Sequence, residues 1–77
     1  MIKKLSEMQS GETGIIDSIE NNDIFLKLME MGCVPGEAIQ VDIIAPFGDP
    51  ISVLVSGYQL SLRLNEAEYI SVNTKLQ

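Results

Sequence analysis

Leu28-Met29-Glu30-Met31-Gly32-Cys33-Val34-Pro35-Gly36 is the stretch where a helical pattern stops and a run of strands begins. Upstream of it, Ile24, Leu28 and Met31 recur at i, i+4 and i+7, the spacing that puts side chains on one face of a helix. Asp23 stands just before that stripe and can cap it, its carboxylate accepting from the free N–H groups of the first turn. The spacing predicts one α-helix over about 23–31. Gly32 then falls where a helix commonly ends on positive φ, which glycine adopts without a Cβ penalty. Val34-Pro35-Gly36-Glu37 reads as a type II turn, with proline presetting φ at the second position and glycine taking positive φ at the third.

Downstream the period changes from 3.6 to 2. Ile39, Val41 and Ile43 alternate with Gln40 and Asp42, then Ile51, Val53 and Val55 alternate with Ser52, Leu54 and Ser56. Ala45-Pro46-Phe47-Gly48-Asp49-Pro50 lies between them, and its prolines mark a hairpin loop. Gly57 ends the second run. Tyr58, Leu60, Leu62 and Leu64 open a third, which stops at Asn65-Glu66-Ala67-Glu68. That tetrapeptide resembles a capping box with Asn65 as N-cap and predicts one helical turn. Tyr69 to Val72 makes a final strand, and Asn73 to Gln77 are expected to fray.

On the N-terminal side, β-branched Thr13, Ile15, Ile16 and Ile19 predict a strand over 13–19. The adjacent isoleucines break its alternation, which a bulge or burial of both faces would explain. Leu5 and Met8, three apart, suggest a helical turn laid on the core. The fold class is therefore mainly β. About five short antiparallel strands form a small β-barrel, with one α-helix and short helical turns, in a single domain over residues 1–77. Closure of the barrel would remove exposed strand edges.

Composition narrows the function. The formal net charge is −6, and the five lysines and arginines form no run longer than Lys3-Lys4. Binding a phosphate backbone needs a positive stripe, so nucleic acid is not expected as a partner, and an anionic membrane surface is disfavoured on the same ground. No apolar run approaches the length of a membrane span, and no signal-peptide pattern opens the chain, so the expected location is the cytoplasm without direct membrane insertion. There is no histidine and a single cysteine, Cys33. Nucleophile–histidine catalysis and imidazole ligation are excluded, as is a thiolate cluster within one chain.

Asp17, Glu20 and Asp23 recur every third residue around a turn, but too sparsely for a calcium loop, and read best as a solvated acidic turn. Gly11-Glu12-Thr13-Gly14 lacks the Lys-Ser/Thr of a phosphate loop. No catalytic, metal or cofactor-binding residue is assigned, and the chain is not expected to be an enzyme. Cys33 lacks a neighbouring cation and reads as a small packed hydrophobe rather than a redox thiol.

Surface is the better question. With Ile24, Leu28 and Met31 facing the core, the 100° step places Leu26 near the opposite side and Met29 about 60° from it. Leu26 and Met29 then either bind a partner or a second copy, or they contact the N-terminal segment. Phe47, the only aromatic residue in a predicted loop, either meets a partner or folds back to plug one barrel end. Arg63, the lone strand arginine, either pairs with a carboxylate such as Glu66 or touches a partner. Leu26, Met29, Phe47 and Arg63 are the candidate partner-binding residues.

Nearly the whole chain resembles the FeoA family of ferrous iron transport proteins. The resemblance runs through Leu5, the Gly11 turn, Leu28-x-x-Met31-Gly32-Cys33-Val34-Pro35-Gly36 and Ile39-x-Val41. It continues through Ala45-Pro46-Phe47-Gly48-Asp49-Pro50-Ile51, then Val55-x-Gly57-x-x-Leu60-x-Leu62-Arg63 and Glu66-Ala67-x-x-Ile70-x-Val72. Met31 stands where the family often has leucine, a near volume-matched exchange. The resemblance implies an SH3-like β-barrel. It also implies an accessory or regulatory role beside FeoB, the membrane transporter of ferrous iron with a cytoplasmic G domain. The same barrel occurs as the C-terminal domain of iron-dependent repressors, which supplies an alternative reading as a stand-alone domain of that type.

Overall fold

The turn at the helix end forms as its residues dictate. In the computed structural model, which describes residues 1–74, Gly32 has φ +84° and Gly36 φ +96°. The Glu37 N–H closes the Val34-Pro35-Gly36-Glu37 turn by donating to the Val34 carbonyl at 3.2 Å. The helix ahead of it, α1 (Asn22–Glu30), starts one residue earlier than expected. Asn21, not Asp23, is the cap. Its extended backbone aims the carboxamide oxygen at the Asp23 and Ile24 N–H groups, at 3.0 and 3.2 Å. Asp23 sits instead in the first turn, where its charge favours the positive pole of the helix.

Among the described residues six strands, not five, form one antiparallel sheet in the order β1-β6-β2-β3-β4-β5. They are β1 (Ile2–Lys4), β2 (Thr13–Ile19), β3 (Ala38–Ile44), β4 (Ile51–Val55), β5 (Tyr58–Leu62) and β6 (Ile70–Asn73). The added strand is β1, which pairs Ile2 with Asn73 and Lys4 with Ser71 on β6. A short 3-10 turn over Leu5–Glu7 follows it and buries both Leu5 and Met8, so the expected helical turn is present, one strand further along. Asn73 is paired on both sides rather than frayed, and Thr74 is buried, its N–H donating to the Met1 carbonyl at 2.7 Å. The remainder of that expectation, Lys75 to Gln77, lies outside the described residues.

Two register shifts explain where strict alternation fails. Between Ile16 and Ser18 the pairing of β2 with β6 slips by one residue. Ile16 and Ile19, three apart, can then both face the core, while Ile15 is exposed. A second shift between Val41 and Ile43 does the same in β3. Val41 and Ile44 turn inward and Ile43, expected in the core, is 60% exposed. An extra residue in one strand of a pair bends it and reassigns every side chain beyond it.

The sheet wraps a core of Leu5, Ile16, Leu28, Cys33, Ile39, Val41, Ile51, Val53, Val55, Leu62, Ile70 and Val72. Among the described residues its two ends do not pair: β1 and β5 are edges, so hydrogen-bonded closure, expected from the sequence, is not observed. Instead the 3-10 turn that follows β1 packs on α2 (Leu64–Ala67), which follows β5. The cap of α2 also differs from the expected one. Glu66, as the third helical residue, accepts from the Arg63 N–H at 2.9 Å, so the box lies two residues before the Asn65–Glu68 pair. Leu64 is drawn into the helix because its N–H reaches Asp49 Oδ1 at 3.0 Å.

Candidate partner-binding surface

The outer face of α1 is built by the same stripe that anchors it. Leu28 is fully buried, and Ile24 and Met31 pack against the core beside it. That leaves Leu26 at 57% exposure and Met29 at 44%, three residues apart and therefore on one ridge. The N-terminal segment does not cover them, because β1 is engaged with β6. The exposure of Leu26 and Met29 therefore speaks against the core-contact alternative, and the backbone partners of β1 are on β6.

Lys27, between them, fixes how the ridge is held. Its ammonium pairs with Glu66 Oε2, while Glu66 Oε1 takes the Arg63 N–H. One carboxylate therefore ties α1 to the cap of α2. The bond from Lys27 holds the Glu66 carboxyl below the usual carboxylate range, partial burial opposes this, and the Arg63 N–H adds to it. A depressed folded-state pKa gives stability that is present above the unfolded pKa and lost as pH falls through the folded one. Glu66→Gln should therefore cost about 1 kcal/mol at neutral pH, a modest figure because Lys27 is largely exposed. Below about pH 5 the gap to wild type should shrink as the wild-type carboxylate protonates. Urea melts at pH 7 and pH 3.5 measure this, and a constant gap would rule out the ionised pair as its source.

The same geometry corrects the reading of Arg63. Glu66 is engaged by its backbone N–H and by Lys27, not by its guanidinium, and the Arg63 side chain is exposed. Phe47 does not plug the barrel: it is 97% exposed at the tip of the β3–β4 hairpin. The loop is closed beneath it, with Ala45 N–H donating to the Pro50 carbonyl at 3.1 Å and Gly48 N–H to the Ala45 carbonyl at 2.7 Å. Because Asp49 also accepts from Leu64, the loop and Arg63 border one shallow polar depression of about 350 Å³. The structure thus brings Leu26 and Met29 together on one ridge, whereas Arg63 borders Asp49 of the hairpin loop and Phe47 stands alone at the loop's tip.

Sequence alternation groups Tyr58 with Leu60 and Leu62 on the core face. It lies beyond the core at the Ser56-Gly57 hairpin end and is 66% exposed beside the end of α1. Cys33 is the only thiol, and burial pushes it up to about 11. Metal binding and redox chemistry need the thiolate, which burial disfavours. Asp17, Glu20 and Asp23 are not gathered: among the described residues no three His, Cys, Asp or Glu side chains form a ligand set.

Small, acidic and built on one antiparallel sheet that wraps its core, the molecule has a fold of SH3-like type. The FeoA domain model matches residues 3–74, and the chain belongs to the FeoA family. A Porphyromonas gingivalis fusion of Fe(2+) transport protein A with the Fe(2+) transporter FeoB is 37% identical over 70 residues, 90% of this chain. The match covers 8% of that much longer polypeptide. The FeoA-like protein of Clostridium acetobutylicum has the same fold, with TM-score 0.90 and 35% identity over 99% of this chain and 90% of that one. A manganese-dependent transcriptional repressor matches with TM-score 0.88 over 96% of this chain and 42% of its own, at 20% identity, a likeness of fold alone. Among the described residues no helix is long and apolar enough to cross a membrane.

Proposed function

We propose that this chain is a non-enzymatic accessory protein of ferrous iron uptake that acts in the cytoplasm by docking on the G-domain region of a FeoB-like transporter. The observation that carries this reading is the fusion of a related domain to FeoB in one polypeptide. Tethering raises the effective concentration of two modules for one another, to the millimolar range for short flexible linkers, and is useful only where they meet. Leu26 and Met29 supply an apolar ridge held at a fixed angle by the Lys27–Glu66 pair. Phe47 and Arg63 supply an aromatic side chain and a guanidinium, residue types that anchor interfaces. The net charge of −6 favours a partner surface with basic residues.

Titration of the 77-residue protein with the isolated cytoplasmic region of the transporter, with and without GTP, tests the proposal. Wild type should bind saturably, and Leu26→Asp should bind at least about tenfold more weakly while keeping its fold, as expected for a charge placed in an apolar contact. Binding unchanged by Leu26→Asp but lost in Phe47→Ala would move the interface to the hairpin loop. Wild type that self-associates through the same ridge and ignores the transporter fragment would refute docking. The repressor-like alternative rests on fold alone, and the acidic surface opposes a DNA-linked role.

A further inference from the structure

The two edges of the sheet are protected unequally. β1 is three residues long and carries Lys3 and Lys4, the short, charged strand that discourages pairing. β5, Tyr58-Gln59-Leu60-Ser61-Leu62, is five residues long and has no charge and no proline. Its hairpin register pairs Val55 with Tyr58, Val53 with Leu60 and Ile51 with Leu62. A two-residue hairpin loop makes its flanking pair hydrogen-bonded, so these three exchange bonds with β4. The N–H and C=O groups of Gln59 and Ser61 then point away from β4, and among the described residues none of them has a backbone partner.

Beside that edge runs a groove of about 410 Å³, lined by Glu30, Met31 and Gly32 from the end of α1 and by Tyr58, Gln59 and Leu60. Three consecutive strand residues line it, whereas a sheet face would show every second one, so the groove follows the strand edge. Its floor is apolar through Met31 and Leu60, both packed on the core. Among the described residues its one charged side chain is Glu30, at the negative pole of α1. The Gln59 side chain is held away on the outer face by Asp42 and Ser52, at 2.9 Å each.

We propose that the β5 edge is a strand-addition site for an extended peptide segment of a partner protein, apolar at alternate positions and carrying a lysine or arginine that meets Glu30. The free backbone groups of Gln59 and Ser61 require an extended chain. The lone carboxylate and the helix pole require a cation. A second copy is disfavoured, since it would bring another Glu30 and another net charge of −6 to the edge. This site is separate from the Leu26–Met29 ridge and stands whether or not the transporter is the partner.

The test uses probes that contain no transporter sequence. They are an amidated heptapeptide alternating valine and threonine with one terminal lysine, the same peptide with glutamate, and the lysine peptide with alternate amides N-methylated. NMR titration of the whole protein should show the lysine peptide shifting the Gln59 and Ser61 amides saturably and slowing their hydrogen exchange. N-methylation should weaken binding by roughly tenfold or more, the worth of two net hydrogen bonds, and the glutamate peptide should bind severalfold more weakly. Ser61→Pro removes one outward N–H at an edge position that tolerates proline, and should weaken the response severalfold while the remaining amide shifts stay native. Equal binding of the N-methylated peptide, shifts centred on Phe47 or Leu26, or no response to millimolar peptide would overturn the proposal. So would edge shifts that appear with protein concentration alone, which would make a second copy the occupant.

Discussion

Gly14→Ala should lower the melting temperature by roughly 10–20 °C, the equivalent of about 2–3 kcal/mol in a domain of this size. Gly14 lies in β2 where the strand is flanked by β3 and β6, paired with Ile39 on the β3 side. A Cβ built on it would stand 2.5 Å from Val72 Cγ1 and 2.7 Å from the Asn73 carbonyl oxygen. Val72 is fully buried, and close-packed cores leave a β-branched side chain little room to rotate. The carbonyl belongs to the backbone of β6, so relief requires the two strands to part. Since β6 also holds β1, strain at this one position spreads to the sheet edge. Gly11→Ala is the matched control. Gly11 has φ +87° but nothing within 4 Å of where a methyl would stand, so only the left-handed backbone penalty of about 1 kcal/mol applies. Thermal melts followed by circular dichroism should place Gly14→Ala well below Gly11→Ala; the reverse order would mean that β2 and β6 separate easily.

Nothing in the sequence marks Gly14 as different from Gly11, which has the better turn context. Close approach depends on which residue of β6 lies opposite, and register between strands distant in sequence is a tertiary fact. The same cause hid β1, whose three residues carry two lysines and acquire strand structure only by pairing with β6. It hid the outward turn of Ile43 too, since alternation is a local rule and a bulge is imposed by the neighbouring strand. What local chemistry decides was legible: the glycines at 32 and 36, the Pro-Gly turn, the hairpins, and the inward stripe of α1. Caps were legible in kind but not in place, because Asn21 and Asp23 both qualify as acceptors and only the chain's entry angle chooses. The candidate surface followed a similar division. Helical geometry alone put Leu26 and Met29 opposite the core, whereas the pairing of Lys27 with Glu66 joins residues 39 apart and could not be read.

Leu28→Ala should destabilise the protein by about 3 kcal/mol, within the range for leucine-to-alanine changes at fully buried sites. The size of the effect follows from how α1 is attached. Leu28 is the one helix residue wholly buried, with Ile24 and Met31 only partly so. Its carbonyl also accepts from the Met31 and Cys33 N–H groups, at 3.0 and 2.8 Å, which fixes the turn into β3. The substitution leaves those backbone bonds possible but removes the side chain that pins them to the sheet. Cys33, fully buried a few residues on, reports the loss. Its thiol is protected by burial and becomes reactive when this region opens, so labelling by an excess of a thiol reagent under native conditions reads the opening equilibrium. Labelling should accelerate by roughly 100-fold in Leu28→Ala, from tenfold per 1.4 kcal/mol, and hardly at all in Leu26→Ala. An unchanged rate in Leu28→Ala would show that Cys33 opens without the helix, and that the ridge carrying Leu26 and Met29 is fastened to the sheet by Ile24 and Met31 instead.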